Sequence, residues 1–180
     1  MNYEAKQPKT TQLACYNNYM EHTWDIISDI ILGVSIIVLG VFAILGLIQL
    51  IKNRSLKKVD RPLLAMFVPV GLVAITYLIF EKFIVLNTRP NGSGEPSFPS
   101  THVLIVSTIF FCVAIMLPYY IKSKLACALI YVFMAVFIVL VVAGRLISNM
   151  HWPTDVIGSL VFSTVYAFIY YLIIRRKNHA

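Results

Sequence analysis

Charged residues are scarce in this sequence. They make up 13% of its 180 residues, against about a quarter in an average soluble domain. Apolar residues make up 59%, and the mean hydropathy is +0.80. This composition argues against an ordinary soluble domain and predicts a single domain embedded in a membrane.

Signals for disulfides, strands and metal sites are also lacking. Cys112 and Cys127 lie in apolar stretches, so we expect packing rather than a disulfide framework. No segment alternates between apolar and polar residues as a strand does, and in lipid the backbone groups must all be satisfied internally, which favours helices. No cluster of Asp, Glu and His has obvious metal-ligand spacing, so we expect neither a metal nor another cofactor.

Five apolar stretches are each long enough for a spanning helix of about 20 residues. We place them near 27–51, 63–86, 103–121, 125–143 and 156–174. The predicted fold is therefore all-α, a polytopic transmembrane helical bundle of about five spanning helices over residues 27–180. Residues 1–26 are polar, and their aromatic side chains predict a tail with an interfacial segment after a disordered start at 1–12.

Basic residues are concentrated at the ends of these stretches. Ten of the 15 lysines and arginines fall within 52–61, 122–124 and 175–177. Basic loops remain in the cytoplasm, so these segments, including the C-terminus, are predicted to be cytoplasmic. Alternation then places the N-terminus and the loops 87–102 and 144–155 outside. Because the same pattern accounts for the net charge of +7, we expect no nucleic-acid partner.

Three polar motifs fall on that predicted outer face. The first is Lys82-x6-Arg89-Pro90, in which the two cations are nearly two helical turns apart and could project from one face. Pro90 is expected to end the helix near Arg89. Two converging cations would bind an anion, and the alternative is that both are flanking charges that reach the interface.

The second motif is Pro99-Ser100-Thr101-His102, directly before the third apolar stretch. Ser100 or Thr101 suits the N-cap position, and the first-turn amides together with the helix dipole favour an anion there. His102 would then lie beside that anion. The alternative is a capped helix with an interfacial histidine.

The third motif is Arg145-x5-His151-x3-Asp155. Arg145 ends the fourth stretch, while Pro153 and Asp155 suit the first turn of the fifth. Asp155 lies within reach of one nitrogen of His151, which would leave the other nitrogen free as base or nucleophile. The alternative is a local cap beside a surface histidine. The joint occurrence of the motifs, in order and on one predicted face, favours a single phosphate site.

Together the motifs resemble the type-2 phosphatidic acid phosphatase family, whose patterns are Lys-x6-Arg-Pro, Pro-Ser-Gly-His and Ser-Arg-x5-His-x3-Asp. The resemblance covers roughly residues 60–175 and implies a helical membrane phosphatase that works without metal through a phosphohistidine. Thr101 stands where the family usually has glycine, and Gly144 stands where it usually has serine. Membrane members of the family commonly have six helices, whereas five are predicted here.

By motif position, the resemblance implies a role for each polar residue. His151 resembles the nucleophile, Asp155 the residue that orients it, and His102 the acid that protonates the leaving oxygen. The groups implied to bind the phosphoryl oxygens are Lys82, Arg89, Ser100, the Thr101 backbone and Arg145.

These expectations describe a multi-pass cell-membrane phosphatase whose partners are a lipid phosphate substrate and the surrounding membrane lipids. By analogy and topology, undecaprenyl diphosphate at the outer leaflet is the preferred substrate. Phosphatidylglycerophosphate and phosphatidic acid are the nearest alternatives. A lipid phosphotransferase would use the same residues, and a non-catalytic lipid-phosphate binder would keep the same scaffold, so product analysis must separate these functions.

Overall fold

The computed structural model describes residues 9–175 of the chain, with side chains from residue 16 onward. Its helices are α1 Lys9–Asn53, α2 Arg61–Ala65, α3 Phe67–Lys82, α4 Thr101–Tyr120, α5 Lys124–Ile147 and α6 Pro153–Arg175. A single 3₁₀ turn, Leu56–Lys58, separates α1 from α2. Within the described range, five stretches are long and apolar enough to cross a membrane, with α2 and α3 together forming one. The predicted all-α transmembrane bundle is confirmed.

Helix α1 is much longer than a membrane is thick. Its 45 residues extend about 68 Å at 1.5 Å per residue, against about 30 Å for the hydrocarbon core. The helix continues without interruption through residue 26, so its polar N-terminal part extends the first spanning helix. Disorder over 1–12 is therefore wrong for 9–12, and residues 1–8 lie outside the described range.

The second spanning stretch is divided at Met66 and ends earlier than its apolar sequence predicts. Pro69 has no N–H to donate to the carbonyl of Ala65, and the helix is interrupted one turn before it. At the other end α3 stops at Lys82, because the carbonyl of Ile79 accepts from the backbone N–H groups of both residues 83 and 84. The predicted end at residue 86 is therefore wrong by one turn.

Helix α4 lies at the centre and packs against α1, α3, α5 and α6. Its closest partner is α6, where Ser159 and Ser163 donate to the carbonyls of Ser100 and Leu104 at 3.0 and 3.1 Å. Such small side chains let two helix backbones approach closely in a membrane. The contact places the N-termini of α4 and α6 side by side at the end of the bundle that carries the three motifs.

Candidate active site

The loop between α3 and α4 folds back on itself as a short hairpin. The Arg89 N–H donates to the Glu95 carbonyl at 3.0 Å, and the Ser97 N–H donates to the Asn87 carbonyl at 2.9 Å. Gly92 makes the reversal with a φ of +77°, a conformation that favours glycine. The hairpin brings the Arg89 side chain and the Ser97 backbone toward the ends of α5 and α6.

The chain between α5 and α6 reverses just after Arg145. Asn149 has a left-handed φ of +52°, which Asn tolerates better than most residues. The N–H of His151 then donates back to the Arg145 carbonyl at 3.3 Å. Helix α6 begins at Pro153 with Asp155 in its first turn, as predicted. The reversal sets His151 beside Arg145 and above the start of α6.

His151 is only 5% exposed, and its ring is held by a backbone carbonyl. Its Nδ1 lies 2.7 Å from the Ser97 carbonyl oxygen. A carbonyl only accepts, so Nδ1 carries the proton and Nε2 carries the lone pair. Asp155 Oδ2 is 3.8 Å from Nδ1, too far for a hydrogen bond, and accepts instead from the Trp152 N–H at 2.9 Å. The orienting bond expected from Asp155 is thus made by Ser97.

The surroundings of His151 keep its ring neutral. Burial, followed by the positive charge of Arg145, lowers the pKa of His151 to about 4. The Ser97 hydrogen bond and the Asp155 carboxylate oppose this shift without reversing it. At physiological pH the unprotonated Nε2 therefore offers a lone pair, which is what a nucleophile requires.

Each predicted arginine is bound by a carboxylate at one nitrogen only. Arg145 Nη1 donates to Asp25 Oδ1 at 2.6 Å, and Arg89 Nη1 lies 2.8 Å from Glu95 Oε2. The Nε atoms of both arginines are buried without a hydrogen-bond partner among the described residues. Such orphaned donors are costly in a folded protein. Both guanidinium groups therefore retain an unpaired N–H donor of the kind that binds oxyanions.

The start of α4 also has hydrogen-bonding groups that lack a partner in the described part of the chain. Ser100 is the N-cap residue, yet its side chain makes no capping hydrogen bond, and its Oγ is buried without a partner in the described part of the chain. The first-turn amides, including that of Thr101, have no intrahelical acceptor. His102 lies in the same turn, where its Nε2 is 2.8 Å from Asp29 Oδ1.

Lys82 is a predicted site residue that the structure does not link to the others. It is the last residue of α3, its side chain is exposed, and it makes no hydrogen bond or ion pair with any residue of 9–175 for which side chains are described. Because α3 ends there, Lys82 and Arg89 do not lie on one helix face, and that expectation is wrong. The chain between them is extended and non-helical.

Several contacts were missed by the sequence reasoning, besides the Arg89–Glu95 ion pair. Asp25 and Asp29 contact Arg145 and His102 from α1, and the Ser97 carbonyl contacts His151. The two aspartates had a usable signal, since they are four residues apart beside an apolar stretch where charges are costly. The Ser97 carbonyl had no such signal in the sequence, because every residue has a backbone carbonyl.

A polytopic helical bundle with a buried histidine and two arginines with unpaired Nε–H groups at one end defines a membrane protein with a candidate oxyanion site. The PAP2 superfamily model matches residues 39–179, and the chain belongs to this superfamily. The predicted resemblance to type-2 phosphatidic acid phosphatases is confirmed, and the chain is a multi-pass membrane protein of this lipid phosphatase family.

One solved structure shares the fold over nearly its whole length. It is the transmembrane PAP2-type phosphatidylglycerolphosphate phosphatase of Bacillus subtilis, with a TM-score of 0.66 and 16% identity. The alignment covers 97% of this chain and 91% of that one. At this identity the match shows the fold alone. No curated protein sequence matches the chain.

Proposed function

We propose that this protein releases phosphate from a lipid phosphate or diphosphate at the outer leaflet, through a phosphohistidine formed on His151. One observation carries the proposal. Each motif contributes one buried donor without a partner among the described residues, namely Arg89 Nε, Ser100 Oγ and Arg145 Nε. The oxygens of a phosphoryl group would satisfy all three, and such positioned donors stabilise the charge that spreads over these oxygens during transfer.

The reaction follows from the two histidines. Nε2 of His151 attacks phosphorus, and the N–P bond forms as the bond from phosphorus to the leaving oxygen breaks. His102 gives its proton to that oxygen. Water then attacks the phosphohistidine, gives a proton to His102 and releases phosphate, which restores both rings. Ser97 keeps the reactive tautomer of His151 throughout.

The remaining site residues supply charge. Asp155 lies close enough to stabilise the positive ring formed when His151 is phosphorylated. The Thr101 amide adds a donor from the start of α4. Lys82 is assigned to the phosphoryl oxygens by its motif position, and from its exposed place it would reach them only by extending toward bound substrate.

Undecaprenyl diphosphate remains the preferred substrate, on family analogy and on the positive-inside topology. Phosphatidylglycerophosphate is the second candidate, because the solved structure that shares this fold is a phosphatidylglycerolphosphate phosphatase. A panel containing both lipids, with phosphatidic acid, ranks them directly by kcat/KM.

The test is phosphate release from this panel by purified protein, with a chelator present throughout. We expect His151→Ala to lose about 10³-fold or more, since it removes the nucleophile. His22→Ala is the matched control, because the exposed His22 side chain makes no hydrogen bond with any described residue, and we expect full activity. Labelled phosphate should also be trapped on wild-type protein as an acid-labile adduct. Activity abolished by the chelator, or kept in His151→Ala, would refute the mechanism.

Products distinguish the rival functions. Free phosphate as the sole product, even with candidate acceptor alcohols present, would eliminate a phosphotransferase. Binding of lipid diphosphate without any release would instead show a non-catalytic binder.

A further inference from the structure

Two carboxylates of α1 reach the proposed active site. Asp25 and Asp29 are four residues apart and therefore lie on one face of the helix. Asp25 contacts Arg145, and Asp29 contacts His102, at 2.6 and 2.8 Å respectively. Both residues precede position 39, where the superfamily match begins. The family motifs therefore do not account for them.

The close approach of α1 depends on Gly144. A Cβ atom at this position would clash with Ser28 Oγ and lie 3.0 Å from the Trp24 carbonyl oxygen. The family pattern has serine there, which the present packing could hold only if Ser28 Oγ and the Trp24 carbonyl moved aside. Glycine in place of the family's serine thus allows α1 to pack closely against position 144. The same turns of α1 carry Asp25 and Asp29, so this packing also brings the two aspartates to the proposed active site.

The contacts orient their partners without covering them. Asp25 takes only Nη1 of Arg145 and leaves the buried Nε unpaired. Asp29 likewise takes only Nε2 of His102, and no hydrogen bond from the described residues engages Nδ1. A single anchoring bond at one edge of each group therefore leaves another edge for substrate.

We propose that Asp29 is a positioning residue for His102, the leaving-group acid of the reaction proposed above, on which this inference rests. A carboxylate beside an imidazolium fixes the ring and stabilises its charge, as in other carboxylate–histidine pairs. With Nε2–H bonded to Asp29, the proton on Nδ1 goes to the leaving oxygen as its bond to phosphorus breaks. Asp25 has the parallel task of orienting Arg145.

The test compares two leaving groups in Asp29→Asn, which keeps the size of the side chain and removes its charge. Phosphatidic acid expels an alkoxide that needs a proton, whereas p-nitrophenyl phosphate expels a stable anion that does not. A positioned acid contributes about 10²–10⁴-fold. Since Asp29 acts through that acid, we expect kcat/KM, which reports the step that expels the leaving group, to fall about 10- to 100-fold on phosphatidic acid and to change less than about threefold on the aryl ester.

Matched variants on the same helix face separate this role from a structural one. Asp25→Asn should raise KM on both substrates alike, since Arg145 binds the phosphoryl group they share. Glu21→Gln should leave both substrates unaffected, because the Glu21 side chain has one hydrogen bond within the described part of the chain, from Asn149 at 2.7 Å, which a Gln oxygen can also accept. Asp29→Asn combined with His102→Ala should be no slower than His102→Ala alone, as expected for residues that act as one unit.

Each other result has a definite meaning. Equal losses on both substrates in Asp29→Asn, or additive losses in the double variant, would overturn the positioning role. A raised kcat would show that Asp29 blocks the site instead. Wild-type protein that releases phosphate from neither substrate nor from any lipid of the panel above would refute the proposed function, whereas active wild type with an equally active Asp29→Asn would refute this inference alone.

Discussion

The tautomer and charge of His151 are set mainly by a backbone carbonyl and by burial of the ring. The carboxylate of its own motif, Asp155, has a smaller part. The Ser97 carbonyl fixes the tautomer, and burial next to Arg145 favours the neutral ring. Asp155, fully buried at the start of α6, instead caps the turn by accepting from the Trp152 N–H. The motif spacing brought Asp155 close to the ring, but the choice of partner came from the hairpin 87–97.

The titration of His151 provides a prediction at this scale. Its pKa of about 4 lies below the ordinary value of 6.5, so the ring should stay neutral until the solution is far more acidic than usual. Between these values the unfolded chain binds more protons, and stability should therefore fall as pH falls from 6.5 to 4. Ring ¹⁵N NMR in micelles, with His151→Ala to assign the signal, measures the midpoint. A midpoint near 6.5 would contradict the buried geometry.

The helices position the site by packing closely against each other where their side chains are small. The serines of α6 donate to α4 carbonyls, which joins the start of α4 to the start of α6. Glycine at position 144 does the same between α5 and α1. Each contact brings one site histidine or arginine to a neighbouring helix, so the geometry depends on how closely these helices pack.

The contact between α4 and α6 can be tested with two neighbouring positions. Ser163 is fully buried against α4, whereas Thr164 is exposed and bonds only within α6, to the Leu160 carbonyl. Ser163→Leu should overpack the contact and cost about 1–3 kcal/mol. Thr164→Leu should be near neutral, because its side chain has room. Thermal unfolding in detergent compares the two, and equal midpoints would show that this contact does not limit stability.

The whole molecule carries its three motifs at one end of the bundle, and the basic clusters predict that this end faces outward. The prediction can be tested by labelling intact cells with an impermeant maleimide in a cysteine-free background. Ser93→Cys, exposed on the hairpin, should react at once. Lys57→Cys, exposed in the first basic loop, should react only after permeabilisation. The reverse pattern would place the site in the cytoplasm.

The sequence predicted the fold class and most helix bounds well because hydrophobic length is a local property. The prediction failed at Lys82, where apolar residues continue past the end of α3 but the backbone does not remain helical. It also failed at residues 9–12, where polar composition suggested disorder and the structure has helix. In both places the residue composition suggested the wrong backbone conformation, because a hydropathy pattern reports composition and not conformation.

The sequence by itself determined the spanning stretches, the three motifs and, through them, the family. These depend on residue type and spacing along the chain. Only the tertiary structure decided which groups meet: Ser97 with His151, Asp29 with His102, and Asp25 with Arg145 across 120 positions. Such contacts depend on how closely whole helices approach and on backbone groups common to all residues, and neither property is visible in a motif.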